Sequence, residues 1–422
     1  MEAKRRIGVL FLALLCVVCM ALPGLAKTRV VMWIGSQPAG VLPWLEEFEQ
    51  DFNATHDEIE LVVEVYPTVS EMRTKLVVAL AGGVAPDIMY ESSNVMSEWI
   101  ANGIALPLDE YIAQSPDIAD ILPDAIAPLQ YKGKTWALPF TLWPVFDLYN
   151  LDIYAQSGIS LPDTWDELIT ATRKITKYEA DNRVTLSGFR GVAHPIWTFV
   201  DVHMAMEQLG QPSIVAEDTQ GRLNTTAAQQ ALTYIKELWQ AGGEYIASTR
   251  LQDVLSGRAA VQHLGSGTNM VSLHSSVQEL GINLALRRFV GPTKNTDVVQ
   301  HNAGTLFIVA TTENPDAAWK ALHYFLQPES LKGYILAHTG VQSVRRSQMN
   351  DRDLLALPFA RESIALLTPP ITTSGPTHAI YSQFRQPVGQ ILLDAAKGLT
   401  PINSSLAEAE RLMNQIIAEK MK

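Results

Sequence analysis

Apolar positions near the start of the chain switch between a short-run pattern and a helical one. Residues 29–34 (RVVMWI) form an apolar run closed by Gly35. From Pro43 the segment PWLEEFEQDFN sets Trp44, Leu45, Phe48 and Phe52 on one helical face, with Pro43 in the first turn. Residues 59–65 (IELVVEV) are rich in β-branched side chains and predict a second strand, residues 69–81 predict a helix stopped by Gly82 and Gly83, and residues 87–90 predict a third strand. The order strand, helix, strand, helix, strand implies a parallel sheet with right-handed crossovers.

Further along, Gly133 permits a tight turn between two short strands, and Trp136, Leu138 and Phe140 alternate with Ala137 and Pro139 as a strand does. Pro139 has no N–H to give a ladder, so this strand is expected at an edge or about to leave its sheet. The run Thr164, Trp165, Asp166, Glu167 places two acids beside an aromatic, but its spacing is that of a capping box. Thr164 then accepts from the third amide of a new helix and Glu167 reaches back to the Thr164 amide. Adjacent acids also point to different helix faces, which argues against a catalytic carboxylate pair. Asp109 and Glu110 read as acids at another helix start, and Asp87 as a structural residue at a strand end. Helical recurrence returns from Trp197, again over residues 227–241 before Gly242 and Gly243, and finally over residues 405–418 with a polar face.

Lys4, Arg5 and Arg6 precede an uncharged run over residues 7–20, and Gly24 and Ala26 supply the small residues of a cleavage site. This predicts a secretory signal peptide, residues 1–26. The run of 14 residues is too short to remain as a membrane span, which needs about 20. Cys16 follows Leu15 and Cys19 follows Val18, neither a small residue, so lipid anchoring is not expected. Both cysteines fall inside the leader, which leaves no thiol for a disulfide or a metal in an oxidising compartment. Without the leader the chain carries 43 acidic against 29 basic side chains, a net charge of −14 that disfavours nucleic acid and anionic lipid as partners. The remaining 396 or so residues exceed one comfortable core, so two lobes are expected, with no repeat or low-complexity linker between them.

Residues 131–168, YKGKTWALPFTLWPVFDLYNLDIYAQSGISLPDTWDEL, combine a Tyr, a Gly turn, Ala-Leu-Pro, Tyr-Asn, a second Gly turn and the capping box in an order that resembles bacterial extracellular solute-binding proteins of the sugar-binding kind. Residues 85–87, the phrase WIANGIALPLDE at 99–110, residues 255–267 and the run 302–346 resemble the same family. The resemblance implies an α/β, two-lobed periplasmic-binding-protein fold of type II, each lobe a mostly parallel sheet flanked by helices. Three hinge crossings would join the lobes over a ligand cleft. The lobes implied are residues 27–141 with 304–343, and residues 142–303 with 344–422. The implied role is a monomeric periplasmic receptor that captures a mono- or oligosaccharide and hands it to the permease of an ABC importer, with no cofactor, metal or catalytic residue.

Ligands of open α/β sheets sit beyond the carboxyl ends of the strands. Those loops hold Ser36, Gln37, Tyr90 and Ser92, the mix of hydroxyl, amide and aromatic groups that a polyol demands. Thr141, Trp143 and Asn302 fall at the implied crossings, His194 and Trp197 at a loop-to-helix junction, Ser266 in a glycine loop, and Tyr381 in a further cleft loop. The glycine loop lacks the GxxxxGK pattern of a phosphate cradle, and no HExxH, GxSxG or GxGxxG occurs. The loop after the first strand lacks the additional aromatic found in many sugar binders, and residues 361–377 are rich in Pro and Thr, which leaves the ligand open. Two alternatives stand beside the receptor: a secreted carbohydrate-active enzyme, whose two carboxylates come from distant positions, and a binding protein for a non-sugar polar ligand.

Overall fold

The computed structural model describes residues 27–211, 214–216, 220–246, 251–264, 270–294, 296, 301–367 and 378–420. The strand Thr28–Gly35 lies between two parallel neighbours, Ile59–Tyr66 and Ile88–Ser92. The connecting helices are Val41–Thr55, which buries Val41, Leu45, Phe48 and Phe52 as one face, and Val69–Gly82. Thr68 caps the latter by accepting from the Glu71 amide, and Gly83 ends it at φ 69°, a left-handed position that glycine takes without strain. Asp87 accepts from the Val31 amide at 2.8 Å and from the Thr312 hydroxyl at 2.5 Å, which ties the start of one strand to the next.

Three antiparallel pairings extend this sheet to six strands. His301–Ile308 runs against Ile88–Ser92 on one side and Leu138–Pro144 on the other, and the two-residue strand Gln342–Ser343 closes the far edge. Pro139 is tolerated because the ladder slips there: Gly304 faces Thr141 while Thr305 faces Pro139, so Phe140 is bulged out of register. The hairpin of Gln130–Tyr131 and Lys134–Thr135 turns through Lys132 and Gly133, both at positive φ.

From Leu138–Pro144 the chain passes through Val145 alone into a second sheet, beginning at Phe146–Asn150. This sheet departs from the mostly parallel expectation, since Phe146–Asn150 lies between Val261–Leu264 and Leu284–Arg287 and is antiparallel to both. The reason is directional. The outer two strands are joined through the helix Met270–Leu280 and run the same way, whereas the middle strand arrives from the other lobe.

Helices dominate the rest of this lobe: Trp165–Ile175, Pro195–Gln208, Thr226–Gly242, Tyr381–Ala396 and Ile402–Lys420 pack into one apolar core. A separate core gathers under the six-stranded sheet from residues 30–142 and 303–344, joined by Leu354 and Leu367. Thr164 caps its helix from the Glu167 amide at 3.3 Å, but the Glu167 carboxylate reaches the Asp163 amide at 2.8 Å rather than that of Thr164. A buried guanidinium anchors the chain just beyond Gln342–Ser343. Arg345 donates to the Leu326 and Asp117 carbonyls and to the Asp117 and Asp120 carboxylates.

Candidate functional site

The bulge and the crossing together gather four of the sequence candidates. Asn302 stands opposite Trp143, and Gly304 stands opposite both Thr141 and Ser92 in its two ladders. Trp143 is half-buried against the first core, Asn302 is 7% exposed and Thr141 is fully buried. The Thr141 hydroxyl accepts from the Gly304 amide at 3.3 Å, and Ser93 in the same corner accepts from the Ala303 amide at 3.1 Å. Behind Ser92, the enclosed Glu91 carboxylate is fully engaged. It accepts from Arg73 Nε at 2.7 Å and Nη2 at 2.5 Å, from the Trp99 indole at 2.9 Å and from the Ser92 amide at 2.7 Å. Such a carboxylate fixes the strand end and leaves no free acceptor face.

Gly35 leads into Ser36, which is exposed at φ 56° and donates its amide to the Tyr66 carbonyl. Gln37 turns inward: its Nε2 donates to the Gly35 carbonyl at 3.0 Å and its Oε1 accepts from the Tyr334 hydroxyl at 2.6 Å. Tyr90 is 6% exposed and its ring meets Phe140 edge-on inside the first core, where burial pushes its hydroxyl pKa up. Tyr381 is 1% exposed, packed between Phe199 and Phe384 with the Arg385 guanidinium over its ring.

On the second lobe, Pro195 occupies the first turn of Pro195–Gln208, His194 stands at its N-cap and Trp197 lies half-buried one turn in. His194 Nδ1 is enclosed with no hydrogen-bond partner among the described residues. This helix reaches the crossing through Met204, which packs with Phe289 on Val145. Ser266 lies outside the described residues. Of these candidates, Trp143 is half-buried beside the crossing, and His194 and Trp197 are half-buried at the start of the helix Pro195–Gln208. Among the described residues no group of three or more His, Cys, Asp or Glu is arranged to hold a metal ion.

One cluster near this site was missed in the sequence. Asp147, Asp201 and His263 meet inside the second lobe, and the available signal was a single acid inside the apolar strand VFDLYN.

The first sheet thus passes directly into the second through Val145, with Trp143 and Asn302 side by side at that point. The sequence profile of bacterial extracellular solute-binding proteins matches residues 35–332, and the chain belongs to that family. A maltotriose-binding protein of Pyrococcus abyssi is 25% identical over 338 residues, which cover 77% of this chain and 68% of that protein. Among solved structures, the sugar-binding protein MalE of Xanthomonas citri superposes with a TM-score of 0.79 at 17% identity, over 93% of this chain and 98% of its own. A cyclic alpha-maltosyl-1,6-maltose binding protein of Arthrobacter globiformis gives a TM-score of 0.78 at 17% identity, over 93% and 99%. The fold is the two-lobed, type II periplasmic-binding-protein fold. No described helix is long and apolar enough to cross a membrane.

Proposed function

We propose that this protein is the carbohydrate-capturing receptor of an ABC importer, which closes its two lobes on a neutral mono- or oligosaccharide and presents the closed form to a membrane permease. The observation that carries this reading is the pairing of half-buried Trp143 with Asn302 where the chain leaves the first lobe, within a family of solute receptors. An indole face suits the C–H surface of a sugar ring, and the adjacent amide suits its hydroxyls. The maltotriose-binding relative points the same way. In this reading residues 1–26 are a cleaved leader, the mature protein is a periplasmic monomer, and the lobes divide as residues 27–141 with 304–343 and residues 142–303 with 344–422, except that Val344, Arg345, Leu354 and Leu367 stay with the first lobe. Binding needs no cofactor and no catalytic group.

Energetics require both lobes. Micromolar affinity corresponds to about −8 kcal/mol. Burying roughly 100 Å² of aromatic surface supplies about 2.5 kcal/mol. Hydrogen bonds from the facing lobe must add the rest, and only a ligand that contacts the closed form better shifts the equilibrium toward it. Thermal unfolding with a panel of maltodextrins, monosaccharides, polyols, amino acids, polyamines and metal ions tests this. A sugar at about one hundred times its Kd adds about 2.7 kcal/mol. Stabilisation by a charged amino acid or metal alone would overturn the carbohydrate reading, and glycosidic turnover would replace the receptor with an enzyme.

A further inference from the structure

Two buried ionisable groups, Asp147 and His263, meet a partly buried third, Asp201, each on a different element. Asp147 is on Phe146–Asn150, His263 faces it in register on Val261–Leu264, and Asp201 is on Pro195–Gln208. His263 Nδ1 lies 3.3 Å from Asp147 Oδ1, and its Nε2 lies 3.5 Å from Asp201 Oδ1. The second contact lacks hydrogen-bond alignment, and all three side chains line one cavity of about 40 Å³. The imidazole stacks on Phe289 with ring centres 4.4 Å apart, and Phe289 belongs to the cluster around Val145 at the crossing.

Of the remaining groups that face the cluster, Arg287 stands in register with Asp147 and its positive charge opposes the rise of that carboxyl. Arg287, on Leu284–Arg287, lies over the Tyr149 ring and spends its guanidinium on the Asp163 carboxylate and the Pro162 carbonyl. Tyr149, Tyr154 and Tyr234 surround the cluster as neutral phenols, because burial pushes their pKa values up. His203 and Glu207 share the helix of Asp201 but form their own contact. Two carboxylates thus share one imidazole, in a setting where an additional charge is costly.

One of these elements carries a candidate ligand group, and another begins just beyond the strand that carries Trp143. Asp201 is one helical turn beyond Trp197 on the same helix, and Asp147 is four residues beyond Trp143 across the crossing at Val145. We propose that Asp147, His263 and Asp201 form a proton-binding site whose occupancy repositions these elements, so that the candidate ligand site responds to pH. The link to ligand rests on the receptor reading above. Burial pushes the Asp201 carboxyl up to about 6, against His263 and with Asp147. Burial also raises Asp147, opposed by His263. For His263, burial alone would lower the pKa, but Asp201 and Asp147 outweigh it and hold it above the usual 6.5. Every member is raised in the fold, so the stability the cluster contributes is complete in acid and is lost as pH rises through about 6 for Asp201 and above 6.5 for His263.

The test is an NMR titration of the full mature protein with labelled histidine and tryptophan, from about pH 5 to about pH 8.5. His263 should titrate above the ordinary histidine range, and Asp201→Asn should lower its midpoint by about half a unit or more. The indole signals of Trp143 and Trp197 should move with that midpoint in the wild type and lose the step in His263→Gln. A His263 midpoint at or below the ordinary value, or indole signals that ignore it, would overturn the proposal. Calorimetry adds the ligand: the Kd of the most stabilising panel sugar should change at least about threefold across the range, equivalent to about half a pKa unit. A pH-independent Kd would break the link to capture. If no sugar binds, the carbohydrate reading fails while the histidine and indole signals still decide the proton site.

Discussion

The carboxylate of Glu98, on the first-lobe helix Met96–Ala101, accepts from both the amide and the hydroxyl of Ser382 at the start of the second-lobe helix Tyr381–Ala396, the hydroxyl at 2.8 Å. Beside it the Ser97 hydroxyl donates to the His378 carbonyl at 2.8 Å. A carboxylate at a helix N-terminus satisfies orphan amides and complements the helix dipole, and here the two halves of that arrangement belong to different lobes.

Glu98→Ala should therefore weaken the closed form. Loss of a capping interaction costs about 1 kcal/mol, so the Kd of a stabilising sugar should rise about fivefold by calorimetry. Small-angle scattering of the liganded variant should show a larger radius of gyration than the wild type. Unchanged Kd and unchanged scattering would mean that the contact survives opening and does not favour closure.

Trp143 and Tyr381 should separate affinity from stability. Trp143→Ala removes a half-buried indole beside Asn302, and losing about 100 Å² of ligand contact should raise the Kd by about 50-fold. Tyr381→Ala instead empties a site that is 1% exposed in the second core. It should cost about 3 kcal/mol in urea unfolding. An unchanged Kd for Trp143→Ala would remove that residue from the site.

How far these positions were legible depended on whether the signal was local. The parallel strands, the Gly83 and Gly133 turns and the Thr164 cap follow from short-range backbone preferences, and the structure contains them. The crossing strand was legible through Pro139, although the reason it fits is a bulge opposite Gly304. Burial of Tyr90 and Tyr381 was not legible, because it depends on Phe140 and Phe199 arriving from distant parts of the chain. The antiparallel second sheet was hidden for a similar reason: Phe146–Asn150 pairs with strands more than a hundred residues later. Glu167 reads as a cap partner from its spacing, but its choice of the Asp163 amide is a matter of loop geometry.

His203 and Glu207 predict a second pH response, separate from that of His263. They lie 3.5 Å apart on one helix, yet burial pulls His203 down to about 4 and pushes Glu207 up to about 8, so near neutrality both are uncharged and the contact is no ion pair. The lowered His203 contributes stability above 6.5 that is lost as pH falls toward about 4. The raised Glu207 contributes stability that is complete below 4.5 and lost as pH rises toward about 8. Glu207→Gln should thus gain stability relative to the wild type on going from about pH 6 to about pH 9, by roughly 2 kcal/mol. Parallel melting curves at those two values would count against a buried, protonated Glu207.

Gly304 tests the bulge at the crossing. A Cβ there would meet the Thr141 hydroxyl at 2.6 Å and the Phe140 ring at 3.1 Å. Phe140 can yield slightly by ring movement, but the Thr141 hydroxyl is held by the Gly304 amide. Gly304→Ala should then cost about 2 kcal/mol in urea unfolding through overpacking. Thr141→Ala removes the obstructing oxygen and should cost less by itself, since one hydrogen bond is worth about 1 kcal/mol. The double variant should be more stable than the sum of the two single losses by at least about 0.5 kcal/mol. Simple additivity would locate the strain against Phe140 or the backbone, and the small residue at 304 would then serve the ladder rather than the space beside Thr141.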